Sequence, residues 1–179
     1  MQNLIWVKAA PAPLSQIVAM RKSFRLPSPV LFLACIAVLF AGFGCAKKPA
    51  GPPKEVKITA NDKMKFDLTA FEVKPGQQVS VTLTNVGTSP KASMGHNFIL
   101  LKQNTSVQKF LDEGSMHAAQ NYIAPEFAKD VIASTKLLGP GESDTITFTA
   151  PFVPGDYVFL CAFPGHYASG MHGIMSVKQ

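Results

Sequence analysis

Hydrophobic and polar residues alternate with a period of two along most of the chain after residue 55. The clearest run is Gln78–Asn85, where valine and leucine alternate with polar side chains. This alternation is typical of a β-strand with one buried face and one exposed face. The same pattern, or a short apolar run, predicts further strands at 56–59, 66–73, 97–101, 144–149, 157–161 and 173–177.

Turn-forming residues separate these predicted strands, as in Lys74-Pro75-Gly76 and Pro154-Gly155. The segment 105–132 is different, because Val107, Phe110 and Leu111 have helical spacing and 125–132 is compatible with a helical turn. Strands follow one another without a regular alternation of strand and helix. The pattern therefore predicts an all-β antiparallel sandwich that is interrupted by a short helical excursion.

An uncharged apolar run of 15 residues occupies positions 30–44, directly after Arg21, Lys22 and Arg25. A positively charged segment followed by such a run is typical of a secretory signal. The run is shorter than the roughly 20 apolar residues that a membrane-spanning helix needs. We therefore divide the chain into a signal or anchor segment (1–45), a flexible Pro/Gly/Lys linker (46–54) and a folded domain (55–179).

Cys45 closes the apolar run and is followed by the polar linker. This arrangement resembles a bacterial lipoprotein signal, in which the cysteine is lipidated and anchors the protein to a membrane. An uncleaved anchor and simple secretion are the alternatives. All three place the folded domain outside the cytoplasm, on the periplasmic face of the membrane.

The basic net charge of +6 does not indicate a nucleic-acid partner. From residue 46 onward the chain has 13 lysines, no arginine and 11 acidic residues, so most of the excess charge belongs to the signal segment. Nucleic-acid surfaces usually carry clustered basic residues. We therefore expect no nucleic-acid binding.

Only one of the three cysteines, Cys161, belongs to the folded domain, so the domain contains no internal disulfide. The thiol must then serve intermolecular pairing, reactivity or a metal. His166 follows Cys161 by five residues, Met171 follows by another five, and His96 lies upstream. Two imidazoles, a thiolate and a thioether suit copper, and together they define a blue-copper electron-transfer site.

The residues between Cys161 and His166 support this interpretation. Pro164 and Gly165 supply a tight turn that brings both side chains toward one point. Pro164 also removes a backbone donor near the sulfur, whereas the N–H of Phe163 remains as a donor to it. Such outer hydrogen bonds tune a metal site.

Several segments resemble the azurins: 61–66, 94–97 (Met-Gly-His-Asn), 131–139 and 161–166 (Cys-Ala-Phe-Pro-Gly-His). The resemblance extends over residues 56–178. The spacing from His166 to Met171 is one residue longer than in azurins, and the azurin disulfide cannot form. Both features are similar to the auracyanins, the azurin-like proteins of green photosynthetic bacteria. The resemblance implies a Greek-key β-sandwich of the cupredoxin family with one type 1 copper.

By this resemblance, the equatorial copper ligands are His96, Cys161 and His166, with Met171 axial and the carbonyl of Gly95 on the opposite side. The resemblance also gives roles to residues around the ligands. Asn97 would join the two ligand segments by hydrogen bonds, and Ala162 replaces a hydroxyl residue that is common in azurins. Met64 and Met94 would line an apolar patch around the edge of His166, where a redox partner docks.

The function implied is that of a single-electron carrier, which is not an enzyme and has no small-molecule substrate. In an auracyanin-like setting its partners would be a quinol-oxidising complex and either a reaction centre or a terminal oxidase. Copper storage or delivery is an alternative, favoured by Met116-His117 and Met171-His172. A copper oxidoreductase would need a second copper centre, for which only His117 and His172 remain. We expect both of these histidines at the surface.

Overall fold

The computed structural model describes residues 52–179, which form two β-sheets with short helices between the strands. The strands are β1 Lys54–Asn61, β2 Lys65–Phe66, β3 Ala70–Val73, β4 Gln78–Asn85, β5 Ile99–Leu101, β6 Val131–Ser134, β7 Ser143–Thr149, β8 Gly155–Leu160 and β9 His172–Val177. The helices are α1 Lys91–Met94 and α2 Val107–Gly114, followed by 3-10 helices at Ala118–Gln120 and Pro125–Asp130. The predicted all-β class is confirmed.

The strand order is β2-β1-β4-β7 in the first sheet and β3-β9-β8-β5-β6 in the second. Two pairs are parallel, β1 with β4 and β3 with β9, so the prediction of a purely antiparallel sandwich was wrong. Parallel neighbours need a crossover connection, and between β1 and β4 the chain makes it by visiting the second sheet as β3. Alternation in a sequence shows which face of a strand is buried and carries no information on strand direction.

The single strand predicted at 66–73 is two strands in different sheets. β2 ends at Phe66 on the first sheet, and β3 begins at Ala70 on the second. Between them Asp67 turns back on β1, where its backbone N–H donates to the Thr59 carbonyl and its carboxylate accepts the Thr59 N–H at 2.6 Å. The alternation shifts by one residue at the apolar neighbours Ala70 and Phe71, and the prediction of one strand overlooked this shift.

The helical turn predicted to extend to residue 132 ends at Asp130. Val131–Ser134 instead forms β6, which pairs with β5 at the edge of the second sheet. The helical excursion itself is confirmed by α2. Phe110 of this helix packs with Ile99 and Leu160, so β5 and β8 are covered on their outer face as well as on the core face.

The main core lies between the two sheets and is centred on aromatic rings. Phe159 stacks on Phe98 at a centroid distance of 5.1 Å and also contacts Phe66 and Phe71. Cys161 and Met171 belong to this same buried cluster. The sandwich thus gives the candidate ligands a rigid, water-free setting.

The expected signal segment, Cys45 and most of the linker lie outside the described residues. Within residues 52–179, no helix is long and apolar enough to cross a membrane.

Candidate metal centre

Three side chains predicted as ligands meet in the structure. The ligand atoms of His96, Cys161 and His166 all lie within 4.8 Å of one another, and all three residues are buried. Cys161 Sγ is 3.4 Å from His166 Nδ1, and the two imidazole centroids are 5.0 Å apart. Residues that are far apart in sequence therefore converge on one small volume.

His96 is held by the loop between α1 and β5, just before the predicted strand 97–101. It forms an isolated bridge with Leu138, in which each backbone N–H donates to the other residue's carbonyl at 3.1 and 2.7 Å. Gly95 precedes it in a crowded position, because a Cβ there would meet the Lys91 carbonyl at 2.7 Å and the Leu137 side chain at 2.9 Å. A glycine is therefore required beside His96.

Cys161 and His166 belong to one loop that is closed by its own backbone. Cys161 follows β8 and donates its N–H to the Met171 carbonyl at 3.1 Å, while the Met171 N–H donates to the His166 carbonyl at 3.0 Å. Gly165 and Gly170 adopt positive φ values of 84° and 90°, which favour glycine. These bonds form within the protein itself, so the loop is shaped before any metal binds.

Asn97 forms a hydrogen bond between the segment of His96 and the segment of Cys161. Its Oδ1 accepts the Ala162 N–H at 2.8 Å, and its Nδ2 donates to the Asn121 carbonyl at 2.8 Å. Asn121 in turn accepts the Leu137 N–H through its Oδ1 at 2.9 Å. Sequence reasoning missed Asn121, whose left-handed φ of 56° and distant backbone partners leave no local signal.

The electrostatic environment keeps the three ligand groups uncharged in the metal-free protein. Burial raises the pKa of the Cys161 thiol to about 11, although the backbone N–H groups of Asn97 and Phe163 oppose this shift. Burial, together with the neighbouring His96, lowers the pKa of His166 to about 4. Burial also lowers the pKa of His96. Both imidazoles are then neutral at pH 7 and carry a free lone pair for a cation.

The ring nitrogens of His96 indicate that the site is built for a ligand. Both Nδ1 and Nε2 are buried, and neither makes a hydrogen bond of ordinary geometry among the described residues, although the Asn61 backbone is near enough to oppose the lowering of the His96 pKa. An unpaired buried polar atom costs about 1–3 kcal/mol, so it usually has a reason. Two imidazole nitrogens and one sulfur form a donor set that suits copper, which would also displace the thiol proton.

The other predicted site residues lie in the ligand loop or just before His96, except for Met64, which precedes β2. Met171 is fully buried, and Phe163 is half-buried with its ring 4.6 Å from that of His166. Pro164 is exposed. Met64 and Met94 are half-buried, and Met64 Sδ accepts a hydrogen bond from Ser169 Oγ at 3.5 Å.

The remaining two histidines do not join the ligand group. His117 is half-buried, and its carbonyl accepts the N–H groups of Gln120 and Tyr122. His172 is half-buried in β9 and lies against the Tyr167 ring at 4.6 Å. Both are less exposed than the surface positions predicted for them. In the part of the chain that the structure describes, one group of three or more potential metal-binding side chains is found, and it consists of His96, Cys161 and His166.

Comparison with known proteins agrees with the site. Residues 54–178 match the family of copper-binding proteins of the plastocyanin/azurin type. The chain is 38% identical over 128 residues to azurin of Achromobacter denitrificans, which covers 70% of this chain and 85% of that protein. It is 41% identical over 113 residues to outer membrane protein H.8 of Neisseria gonorrhoeae. That match spans 62% of this chain and 61% of the relative's length.

Solved structures give the same result. Auracyanin from Roseiflexus castenholzii has a TM-score of 0.62 and 38% identity, covering 72% of this chain and all of that one. Auracyanin A from Chloroflexus aurantiacus has a TM-score of 0.62 and 30% identity, covering 70% of this chain and 99% of that one.

The fold and the site together define a cupredoxin, with the Greek-key β-sandwich that was predicted. The chain belongs to the plastocyanin/azurin family of copper-binding proteins, and its cofactor is a type 1 copper. Azurins and auracyanins are extracytoplasmic electron carriers and not enzymes.

Proposed function

We propose that this protein is a single-electron carrier whose copper alternates between Cu(II) and Cu(I). The observation that carries the proposal is the buried His-Cys-His group, whose ligand atoms lie within 4.8 Å of one another. The backbone bonds of the ligand loop and the His96–Leu138 bridge hold these side chains without a metal. A site that is fixed in advance changes little between oxidation states, and this favours fast electron transfer.

In this proposal His96, Cys161 and His166 would hold the copper, and Met171 and the Gly95 carbonyl would be its further ligands. When bound, copper supplies the one-electron step. The protein holds the imidazoles neutral, excludes water by burial and aims the N–H groups of Asn97 and Phe163 toward the sulfur. Such N–H groups tune the reduction potential, and Pro164 provides no further donor.

The proposed route for the electron is the His166 ring. His166 is only 2% exposed, and the neighbouring Pro164 and Gly165 are exposed in the same loop. Met64 and Met94 would complete an apolar patch on which a redox partner docks. Methionine suits such a patch, because its flexible side chain adapts to different partners.

For partners and location, we propose a carrier that is tethered outside the cytoplasm, between a quinol-oxidising complex and a reaction centre or terminal oxidase. The signal-like segment 1–45, the linker 46–54 and the domain 55–179 support this arrangement, as does a family match that begins at residue 54. Cys45 is the proposed lipid attachment site. A relative named as an outer membrane protein also favours an envelope location.

Voltammetry of the copper-loaded full chain tests the carrier function. We expect a reversible one-electron wave for the wild type and none for Cys161→Ser, because the variant lacks the soft thiolate that stabilises Cu(I) beside imidazoles that accept both oxidation states. An irreversible wave, or an equal wave in the variant, would count against the proposal.

Labelling with a radioactive fatty acid during expression in a bacterial host tests the anchor. The wild type and the control Cys35→Ser should incorporate the label, and Cys45→Ser should not. Label that is absent from the wild type, or that persists in Cys45→Ser, would refute lipidation at Cys45.

A further inference from the structure

The loop between His166 and Met171 forms a single closed turn. The Ser169 N–H donates to the Gly165 carbonyl at 3.1 Å, the Gly170 N–H to the Tyr167 carbonyl at 2.8 Å and the Met171 N–H to the His166 carbonyl at 3.0 Å. Within residues 52–179, no backbone N–H donates to the carbonyl of Ser169. This carbonyl accepts instead from the ammonium group of Lys65.

Lys65 reaches the loop from the turn between β1 and β2. It is the first residue of β2 and pairs with Asn61, and the turn is closed by the Met64 N–H, which donates to the Asn61 carbonyl at 3.0 Å. Met64 adopts a left-handed φ of 55° in this turn. Its Sδ accepts from Ser169 Oγ, so two successive residues of the turn contact the same loop residue.

Gly170 makes room for this contact. Its φ is 90°, and a Cβ built on it would lie 2.8 Å from Lys65 Nζ. The ammonium group therefore occupies the space that a side chain would fill. Because Gly170 directly precedes Met171, the contact fixes the peptide that leads into the proposed axial ligand.

We propose that Lys65 is a positioning residue for the copper site, which holds the Ser169 carbonyl and thereby fixes the approach of Met171. This inference rests on the proposed function in one respect, namely the axial role of Met171. A hydrogen bond from a charged donor is stronger than a neutral one, and it acts together with the Met64 contact to the same loop residue. Axial ligation is among the main determinants of the potential and spectrum of a blue copper site.

The first arm of the test uses the metal-free protein. Lys65→Met keeps the apolar stem and removes the donor, Lys65→Arg keeps a donor, and Lys63→Met removes a charge from the same turn. The Lys63 ammonium has no hydrogen bond or ion pair within the described range. Hydrogen exchange at the Gly170 and Met171 amides should be about fivefold faster in Lys65→Met than in the wild type. Lys65→Arg and Lys63→Met should exchange at the wild-type rate. Equal rates in Lys65→Met and Lys63→Met would overturn the proposal.

The second arm uses the copper-loaded protein. The Cu(II) absorption and electron paramagnetic resonance spectra of Lys65→Met should differ from those of the wild type, while Lys63→Met and Lys65→Arg retain the wild-type spectra. Equal changes in Lys65→Met and Lys63→Met would show a charge effect only and would contradict positioning. A wild-type protein that binds no copper would refute the proposed function, whereas the exchange result would stand independently.

Discussion

At the scale of single residues, Asn97 uses both ends of its side-chain amide, and one of them reaches the loop of Cys161. The oxygen accepts from Ala162, directly after Cys161, and the nitrogen donates to Asn121. Asn97 is fully buried, so water cannot replace either bond without a rearrangement. Asn97 directly follows His96, and Ala162 directly follows Cys161. The hydrogen bond between Asn97 and Ala162 therefore sets the distance between His96 and Cys161.

Asn97→Ala should therefore lower the free energy of unfolding by about 1–3 kcal/mol, since it leaves the buried Ala162 N–H and the partly buried Asn121 carbonyl without their partner. Denaturant unfolding measures this, and an unchanged m-value would show that the denatured state is not altered. Gln108→Ala is a matched control, because this exposed amide bonds only to Asp112 on its own helix. A loss no larger than that of the control would contradict the role of Asn97.

The sequence could indicate the group of His96, Cys161 and His166 that the structure brings together, because two of its members lie five residues apart in one loop. His96 was included from the sequence as the second imidazole upstream, and the resemblance then gave it a role. Asn121 could not be predicted, because its contribution depends on a left-handed backbone and on the carbonyl and N–H groups of residues far from it.

At the scale of elements, the turn between β1 and β2 supports both ligand segments. Lys65 and Met64 contact the ligand loop, and Asp62 holds the segment that leads into α1 and His96. The Asp62 carboxylate accepts the N–H groups of Thr88 and Ser89 and the Thr88 hydroxyl. These bonds, the Thr88 N–H first among them, lower the pKa of Asp62 below its ordinary value of 3.8.

This shift predicts a pH-dependent contribution to stability. A carboxyl group whose pKa is lower in the folded state stabilises the fold above the unfolded pKa, and this contribution is lost as the pH falls through the folded value. The difference in unfolding free energy between the wild type and Asp62→Asn should be constant above about pH 5 and shrink below pH 3.8. Chemical denaturation at a series of pH values measures it. A difference that does not depend on pH would contradict the assignment.

The strands show where the alternation of hydrophobic and polar residues predicts strand bounds and where it does not. Gln78–Asn85 was predicted with its observed bounds, because one face of β4 lies on the core and the other is polar. The alternation in 66–73 shifts phase at Ala70 and Phe71, but a shift of one residue does not tell a bend within one strand from a change of sheet. β6 was missed because its residues are half-buried and follow directly on a 3-10 helix.

At the scale of the whole molecule, the sandwich holds the ligand group inside its core cluster while leaving the Pro164–Gly165 turn exposed. A carrier needs this combination, because the metal must be shielded from water and still lie close to a partner. The proposed docking patch of Met64 and Met94 can be tested without knowing the partner, since two copies of a carrier exchange electrons with each other.

Met94→Glu should slow electron self-exchange by about tenfold or more at low salt, because it places a like charge on both copies where the patches meet. Line broadening in mixtures of oxidised and reduced protein measures the rate. Met116→Glu is the control, since Met116 is 85% exposed just after α2 and should affect the rate little. Equal effects of the two variants would show that net charge alone sets the rate, and the patch would lose its support.

The central claim is that Cys161 binds copper as a thiolate together with His96 and His166. The most direct test is the visible absorption spectrum of the full chain loaded with Cu(II), recorded beside Cys161→Ser. We predict an intense sulfur-to-copper charge-transfer band that a mild reductant bleaches and that the variant lacks. A wild-type spectrum with only weak d–d bands would contradict the account, because copper would then bind without the thiolate.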